Sequence, residues 1–252
     1  MAGVDQEKMS KARRAQYPQL KPFRDAIENR HQWCIAAVPG EKWAKKVFPD
    51  LPPKKAVEKM WQTILYTSRA DGSNPVKAWK EHNADLKARC DYLNSLGLKY
   101  LEYKSKNGTD FKVQLNEDGI FAGGEEKTLK GRVFNPNIPS EEVFTSPKAG
   151  AAEGIVYATK PLSYQGQLIE NFSVRFENGK AVEVRAEKGE ELLKQMISMD
   201  EGACMLGECA LIPYDSPISN SGVLFYNTLF DENASCHLAL GHGFNECLKG
   251  YE

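Results

Sequence analysis

Leu168-Ile169-Glu170-Asn171-Phe172-Ser173-Val174-Arg175-Phe176, then Asn178-Gly179, then Ala181-Val182-Glu183-Val184-Arg185-Ala186 is the stretch that decides the fold. Phe172, Val174 and Phe176 alternate with other residues, and Val182 and Val184 repeat the alternation after the turn. A period of two interrupted by Asn-Gly predicts an antiparallel hairpin, because both turn residues tolerate positive φ. Upstream, Tyr100, Glu102 and Tyr103 precede Asn107-Gly108, and Phe111, Val113 and Leu115 alternate after it, which predicts a second strand pair. Downstream, Glu190 to Met199 carries Leu192, Leu193, Met196 and Ile197 at helical spacing, the pattern of a core-packing helix.

Before residue 98 the pattern changes. Residues 54–69 and 75–95 read as helices, with Trp79, His82, Leu86, Arg89 or Cys90, and Leu93 recurring near helical spacing, so His82 belongs to a packing face. Gln32-Trp33-Cys34-Ile35-Ala36-Ala37-Val38 reads as a buried strand before a Pro-Gly turn, and Pro18 and Pro22 are expected to interrupt the opening charged segment. The expected architecture is an α/β N-terminal portion, residues 1–96, followed by a mixed α+β portion over residues 97–252.

At 252 residues, with 41% hydrophobic and 27% charged residues, the chain is long enough for a substantial core. A net charge of -1 offers no general attraction to nucleic acid or an anionic membrane, which favours peptides or small molecules as partners. No apolar run approaches the roughly 18 residues of a membrane helix and the opening lacks a signal-peptide hydrophobic region, so a cytoplasmic location is the default expectation. The six cysteines form no CxxC pair and read as reduced and structural.

Metal-ligand residue types gather in Asp231-Glu232-Asn233-Ala234-Ser235-Cys236-His237, downstream of Gly207-Glu208. Carboxylates neutralise and bridge divalent ions, imidazole adds a borderline-soft ligand, and an ion with an open position makes water a nucleophile near neutral pH. That donor set points to metal-assisted hydrolysis. Glu208 sits between Cys204-Met205-Leu206 and Cys209-Ala210-Leu211-Ile212, where a charge is costly unless paired or metal-bound; an edge-strand charge or a buried salt bridge are its plainer explanations. In the β-prone run Pro139–Pro147, Glu142 is the better candidate and Glu141 reads as a solvated strand residue. Glu232 and His237, five apart, do not share an ideal helical face; Asn233 as an N-cap would leave Glu232 before a helix and His237 within it. A surface Glu232 and a satisfied core His237 are the alternatives.

Glu141-Glu142-Val143-Phe144-Thr145-Ser146-Pro147, Thr159-Lys160-Pro161-Leu162, Asp200-Glu201-Gly202-Ala203 through Gly207-Glu208, and Phe225 through Gly241 together resemble the thermophilic metallopeptidase family of aminopeptidases T, S and PepS. The resemblance extends over most of the chain, more diffusely through Trp79, His82 and Gly108-Thr109-Asp110. It implies a metallopeptidase-type catalytic domain, a homodimer, and a metal-dependent aminopeptidase that removes N-terminal residues from peptides with two divalent ions, zinc, cobalt or manganese. Carried over position by position, the implied metal ligands are Glu142, Glu208, Glu232 and His237, with Glu208 bridging.

Two departures accompany the resemblance. Phe244 stands where the family has a tyrosine, and the chain holds no His-x-Asp pair. The dinuclear site is therefore expected to be incomplete, in an internal segment or a chain truncated at its C-terminus. The alternative is a noncatalytic peptide-binding or oligomerisation module on the same scaffold.

Other motifs carry less. Cys236-His237 shows no triad, Gly123-Gly124 lacks the phosphate-loop pattern, and Lys45-Lys46 and Lys54-Lys55 are too short for a nucleic-acid patch. His242 and Glu246 read as a local surface pair, since Gly241 and Gly243 weaken a helix there.

Overall fold

The structure is a computed structural model, and residues 6–27 and 29–250 are described. Four helices come first: α1 Gln6–Ile27, α2 Glu41–Val47, α3 Pro53–Thr67 and α4 Pro75–Ser95. Proline opens both α3 and α4, where its missing N–H costs nothing, and the Asn74 side chain caps α4 by accepting from the Lys77 amide at 3.0 Å. Ala56, Met60, Thr63, Ile64 and Thr67 make one buried stripe along α3.

Strands follow: β1 Tyr100–Lys104, β2 Asp110–Leu115, β3 Glu126–Lys127, β4 Val133–Phe134, β5 Val143–Thr145, β6 Pro147–Tyr157, β7 Leu162–Tyr164, β8 Gln167–Glu177 and β9 Lys180–Lys188. The chain then forms α5 Glu190–Ile197, β10 Leu206–Leu211, α6 Pro217–Ser221, α7 Thr228–Asp231 and β11 His237–Leu240. The expected hairpin is β8–β9, turning on Asn178 at φ 50° and Gly179 at φ 77°. The second expected pair is β1–β2. These strands join β6 and β7 in a six-stranded sheet ordered β1-β2-β6-β8-β7, with β9 also on β8. Antiparallel pairs β11-β10-β5 make a separate three-stranded sheet, and β3-β4 a third.

The largest core lies between the six-stranded sheet, α5 and β10: Phe111, Val113, Ile169, Val174, Phe176, Val184, Leu193 and Cys209. A second joins α2 and α3 to α6 and α7 through Ala44, Met60, Ile64, Ile218, Phe225 and Phe230. A third, Leu86, Cys90 and Val143, seats α4 against β5. The chain thus mixes helices with antiparallel sheets, and no helix of the described residues is long and apolar enough to cross a membrane.

Two local expectations are corrected. Residues 32–38 are not a buried strand: Ile35 makes an isolated bridge to Asn137, while Trp33, Ile35 and Val38 are exposed. With one short partner there is no sheet to cover the run, so its apolar character does not bury it. Pro18 and Pro22 do not interrupt α1, which runs through both. Residues 15–24 are exposed, so water can reach the helix around both prolines, where each missing N–H leaves a carbonyl without its helical partner.

Candidate metal centre

The three-stranded sheet turns separate sequence segments into one surface. Ala210 on central β10 pairs with His237 on β11 and with Phe144 on β5. Paired residues share a face and side chains alternate along a strand, so Glu208, His237 and Glu142, which directly precedes β5, project on one side. Cys209 points to the other side, into the largest core.

On the shared face, ligand atoms of Glu142, Glu208 and His237 lie within 4.8 Å of one another. The His237 Nε2 is 3.3 Å from a Glu142 carboxylate oxygen, and its Nδ1–H donates to the Ser235 carbonyl at 3.3 Å. A backbone carbonyl on one ring nitrogen fixes the tautomer and leaves the other nitrogen for a cation, a common arrangement around ligating histidines. Glu232 lies outside this three-residue group but close enough for its carboxyl to feel the charges of Glu142, His237 and Glu208.

Electrostatics shows what the cluster lacks. Burial pushes Glu208 up to about 7, the negative charge of Glu142 adds to the rise, and His237 opposes it. Burial does the same to Glu232, also to about 7, with Glu142 again adding to it. For His237 burial works against the charged ring, but the Glu142 hydrogen bond and the carboxylates of Glu142, Glu208 and Glu232 outweigh it and raise the imidazole to about 9. Three carboxyl groups share one imidazole in a buried space, and a divalent cation matches both the donor types and the charge deficit.

The segments carrying these groups are braced. Asp231 accepts the amides of Phe225 at 2.7 Å and Asn227 at 2.9 Å, which closes the turn into α7. Ser146 accepts the Phe244 amide at 2.7 Å, and the Phe244 ring packs edge-on to Phe144. Gly207, beside Glu208, meets the backbone of Gly241 and His242 so closely that an added Cβ would overlap the His242 carbonyl oxygen. Gly123 likewise leaves only 2.5 Å between an added Cβ and the Glu142 carbonyl oxygen. Gly123 therefore packs against the Glu142 segment, while Gly124 sits against Asn83 and Leu86 of α4, roles the lack of a phosphate-loop pattern left open.

Two sequence expectations change here. Asn233 is not an N-cap: α7 runs directly into a 3-10 turn, Glu232–Ala234, and His237 begins a strand instead of lying in a helix. Strand pairing with β10 satisfies the backbone that a helix would otherwise have to satisfy. Glu141 is not a solvated strand residue but 1% exposed, with Arg69 paired to both carboxylate oxygens. No helix joins His242 and Glu246, in line with the weakening expected from Gly241 and Gly243; both are exposed, and Asn245–Cys247 forms a 3-10 turn. His82 does sit on a packing face: it is buried, edge-on to Trp79, and its Nε2–H donates to the Ser140 carbonyl at 2.7 Å.

A family model described as thermophilic metalloprotease (M29) matches residues 1–252. The chain is 45% identical over 251 residues to Aminopeptidase T of Thermus aquaticus. It is 41% identical over 251 residues to Aminopeptidase AmpS of Bacillus subtilis. Each alignment takes in 99% of this chain and 61% of the relative, so the chain spans about three fifths of the length of the curated relatives it matches. Among solved structures, wild-type AmpT from Thermus thermophilus superposes with a TM-score of 0.89 at 42% identity, over 99% of this chain and 61% of that one.

Proposed function

The chain belongs to the thermophilic metalloprotease (M29) family, and from that premise we propose that it carries part of the site of a metal-dependent aminopeptidase that removes N-terminal residues from peptides. The observation that carries this reading is the convergence of Glu142, Glu208 and His237 on one sheet face. Glu142, Glu208, Glu232 and His237 would hold two divalent ions, zinc, cobalt or manganese, with Glu208 as the shared ligand on the central strand. Bound there, the ions would supply Lewis-acid polarisation of a peptide carbonyl and a lowered pKa for water.

The chain's own residues then have defined tasks. Glu142 and Glu208 would place negative charge on the face where cations would collect, and the pairing of β5 and β10 holds their backbones in register. The His237 ring is oriented by the Ser235 carbonyl so that Nε2 faces the carboxylates. Asp231 holds the corner that carries Glu232. Phe244 has no phenolic oxygen to offer an oxyanion, and with no His-x-Asp pair in the chain the dinuclear site is incomplete by our reading. The family resemblance further supports a homodimer, which light scattering across concentration would test.

The testing experiment is metal titration followed by assay on amino-acid amides and short peptides. Uptake of zinc or cobalt with weak or absent turnover is expected. Robust turnover by this chain would overturn the incomplete site, whereas no metal uptake would leave only the noncatalytic scaffold alternative.

A further inference from the structure

Ser140-Glu141-Glu142 is anchored at every residue, yet only Glu142 faces the carboxylate cluster. The Ser140 carbonyl accepts from His82 on α4. The Glu141 amide donates to the Asn233 side-chain oxygen at 2.7 Å, and the Asn233 side-chain nitrogen donates to the Leu229 carbonyl at 3.1 Å. Asn233 is 0% exposed and follows Glu232 in sequence, so it ties the strap bearing Glu142 to the corner bearing Glu232. The Glu141 carboxylate turns away from the cluster to a two-pronged pair with Arg69, one arm at 2.9 Å.

Arg69 itself is locally out of place. It lies just past the C-cap of α3 with φ 53°. Its amide bonds to the Tyr66 carbonyl at 3.0 Å and the Ala70 amide to the Leu65 carbonyl at 2.7 Å, the paired bonds of a Schellman ending, where the left-handed residue is usually glycine. Local backbone preference does not select arginine here. The guanidinium on Glu141 is the compensating contact, and it connects α3 to the strap.

We infer that Arg69, Glu141 and Asn233 form a clamp that positions the Glu142 carboxylate relative to Glu232 for cation binding. Arg69 and Glu141 are positioning residues, since neither reaches the cluster; they set its geometry through the backbone of residues 141–142. The inference rests on the metal-site reading above. It also separates the two adjacent glutamates by role, one charge neutralised by Arg69 and the other left for a cation.

Cobalt titration with visible absorbance, on the wild-type chain and on the double variant Arg69→Gly with Glu141→Gln, tests it. The double variant keeps the helix ending that glycine favours and strands no charge, so its cation-free unfolding midpoint should stay close to wild type. Its cobalt affinity should fall by about 10- to 100-fold, the usual consequence of losing an outer-shell partner, and the absorption band of the saturated form should shift. Unchanged affinity and band overturn the clamp. Should the double variant lose its circular-dichroism signal, Arg69→Lys replaces it: the charge stays while the two-pronged geometry goes, weaker cobalt binding supports the clamp, and wild-type affinity overturns it. A wild-type chain that takes up no cobalt overturns the metal-site reading itself, and the clamp with it.

Discussion

The His237 imidazole stands 3.3 Å from a Glu142 carboxylate oxygen, the two residues carried by segments that flank the strand bearing Glu208. This contact is the cluster's main internal neutralisation, and it leaves Glu208 and Glu232 undercompensated. The consequences can be measured.

The cation-free chain should lose stability as pH rises. Glu208 and Glu232 titrate at about 7 instead of their ordinary 4.5, so their contribution is fully present below 4.5 and is lost as pH passes 7. His237, raised from 6.5 to about 9, contributes fully below 6.5 and loses that contribution as pH passes 9. Both windows slope the same way. Melting curves in chelator from pH 5 to pH 9 should fall, and added zinc should restore stability by an increment that grows with pH, because metal competes with protons for these groups. A zinc increment independent of pH would contradict this.

Replacing Glu208 by Gln should have opposite effects on the two states. Removing a buried charge next to Glu142 relieves repulsion, so the chelated variant should melt at or above wild type at pH 8. Its metal affinity should fall further than the ~10–100-fold cost of losing an outer-shell partner. Calorimetric titration checks the second effect, with the exposed substitution Glu117→Gln as control.

Gly207→Ala should destabilise the chain by about 1–3 kcal/mol or more, the cost of overpacking against atoms that cannot give way. The added methyl meets the backbone of His242 and Gly241, which cannot rotate aside as a side chain would. Denaturant unfolding reads the loss. Gly72→Ala, which meets nothing within 4 Å, should leave stability near wild type.

Phe230→Ala should cost about 3–5 kcal/mol, since the ring is 0% exposed and stacks on Phe225 at 4.5 Å. Phe230 is in α7, the helix leading into Glu232, so metal affinity should also weaken. A variant that loses stability while binding cobalt as tightly as wild type would show that the second core does not set the Glu232 position.

Local signals carried much of the fold into the sequence. The Asn178-Gly179 turn, the alternation around it, and the apolar periods of residues 54–69 and 75–95 all appear as the expected elements, because turn chemistry and burial period are encoded within a few residues. The same locality explains the failures. Ile35 and its neighbours look like a core strand, but burial depends on whether a covering sheet exists elsewhere in the chain. Asn233 has the chemistry of a cap, yet its partner is the amide of Glu141, far off in sequence.

For the site, the sequence by itself determined the donor types: one glutamate inside an apolar run, another three residues ahead of Thr145, and a Glu-to-His spacing in a block resembling a metallopeptidase family. The cost of burying a lone carboxylate made Glu208 conspicuous without any structure. Only the tertiary structure decided which adjacent glutamate faces the cluster, because the alternation of an extended segment sends Glu141 to Arg69 and Glu142 to His237, and the register of β5, β10 and β11 chooses the face. Register is a long-range property, fixed by which strand edges meet after the cores have packed, and no short window of residues contains it.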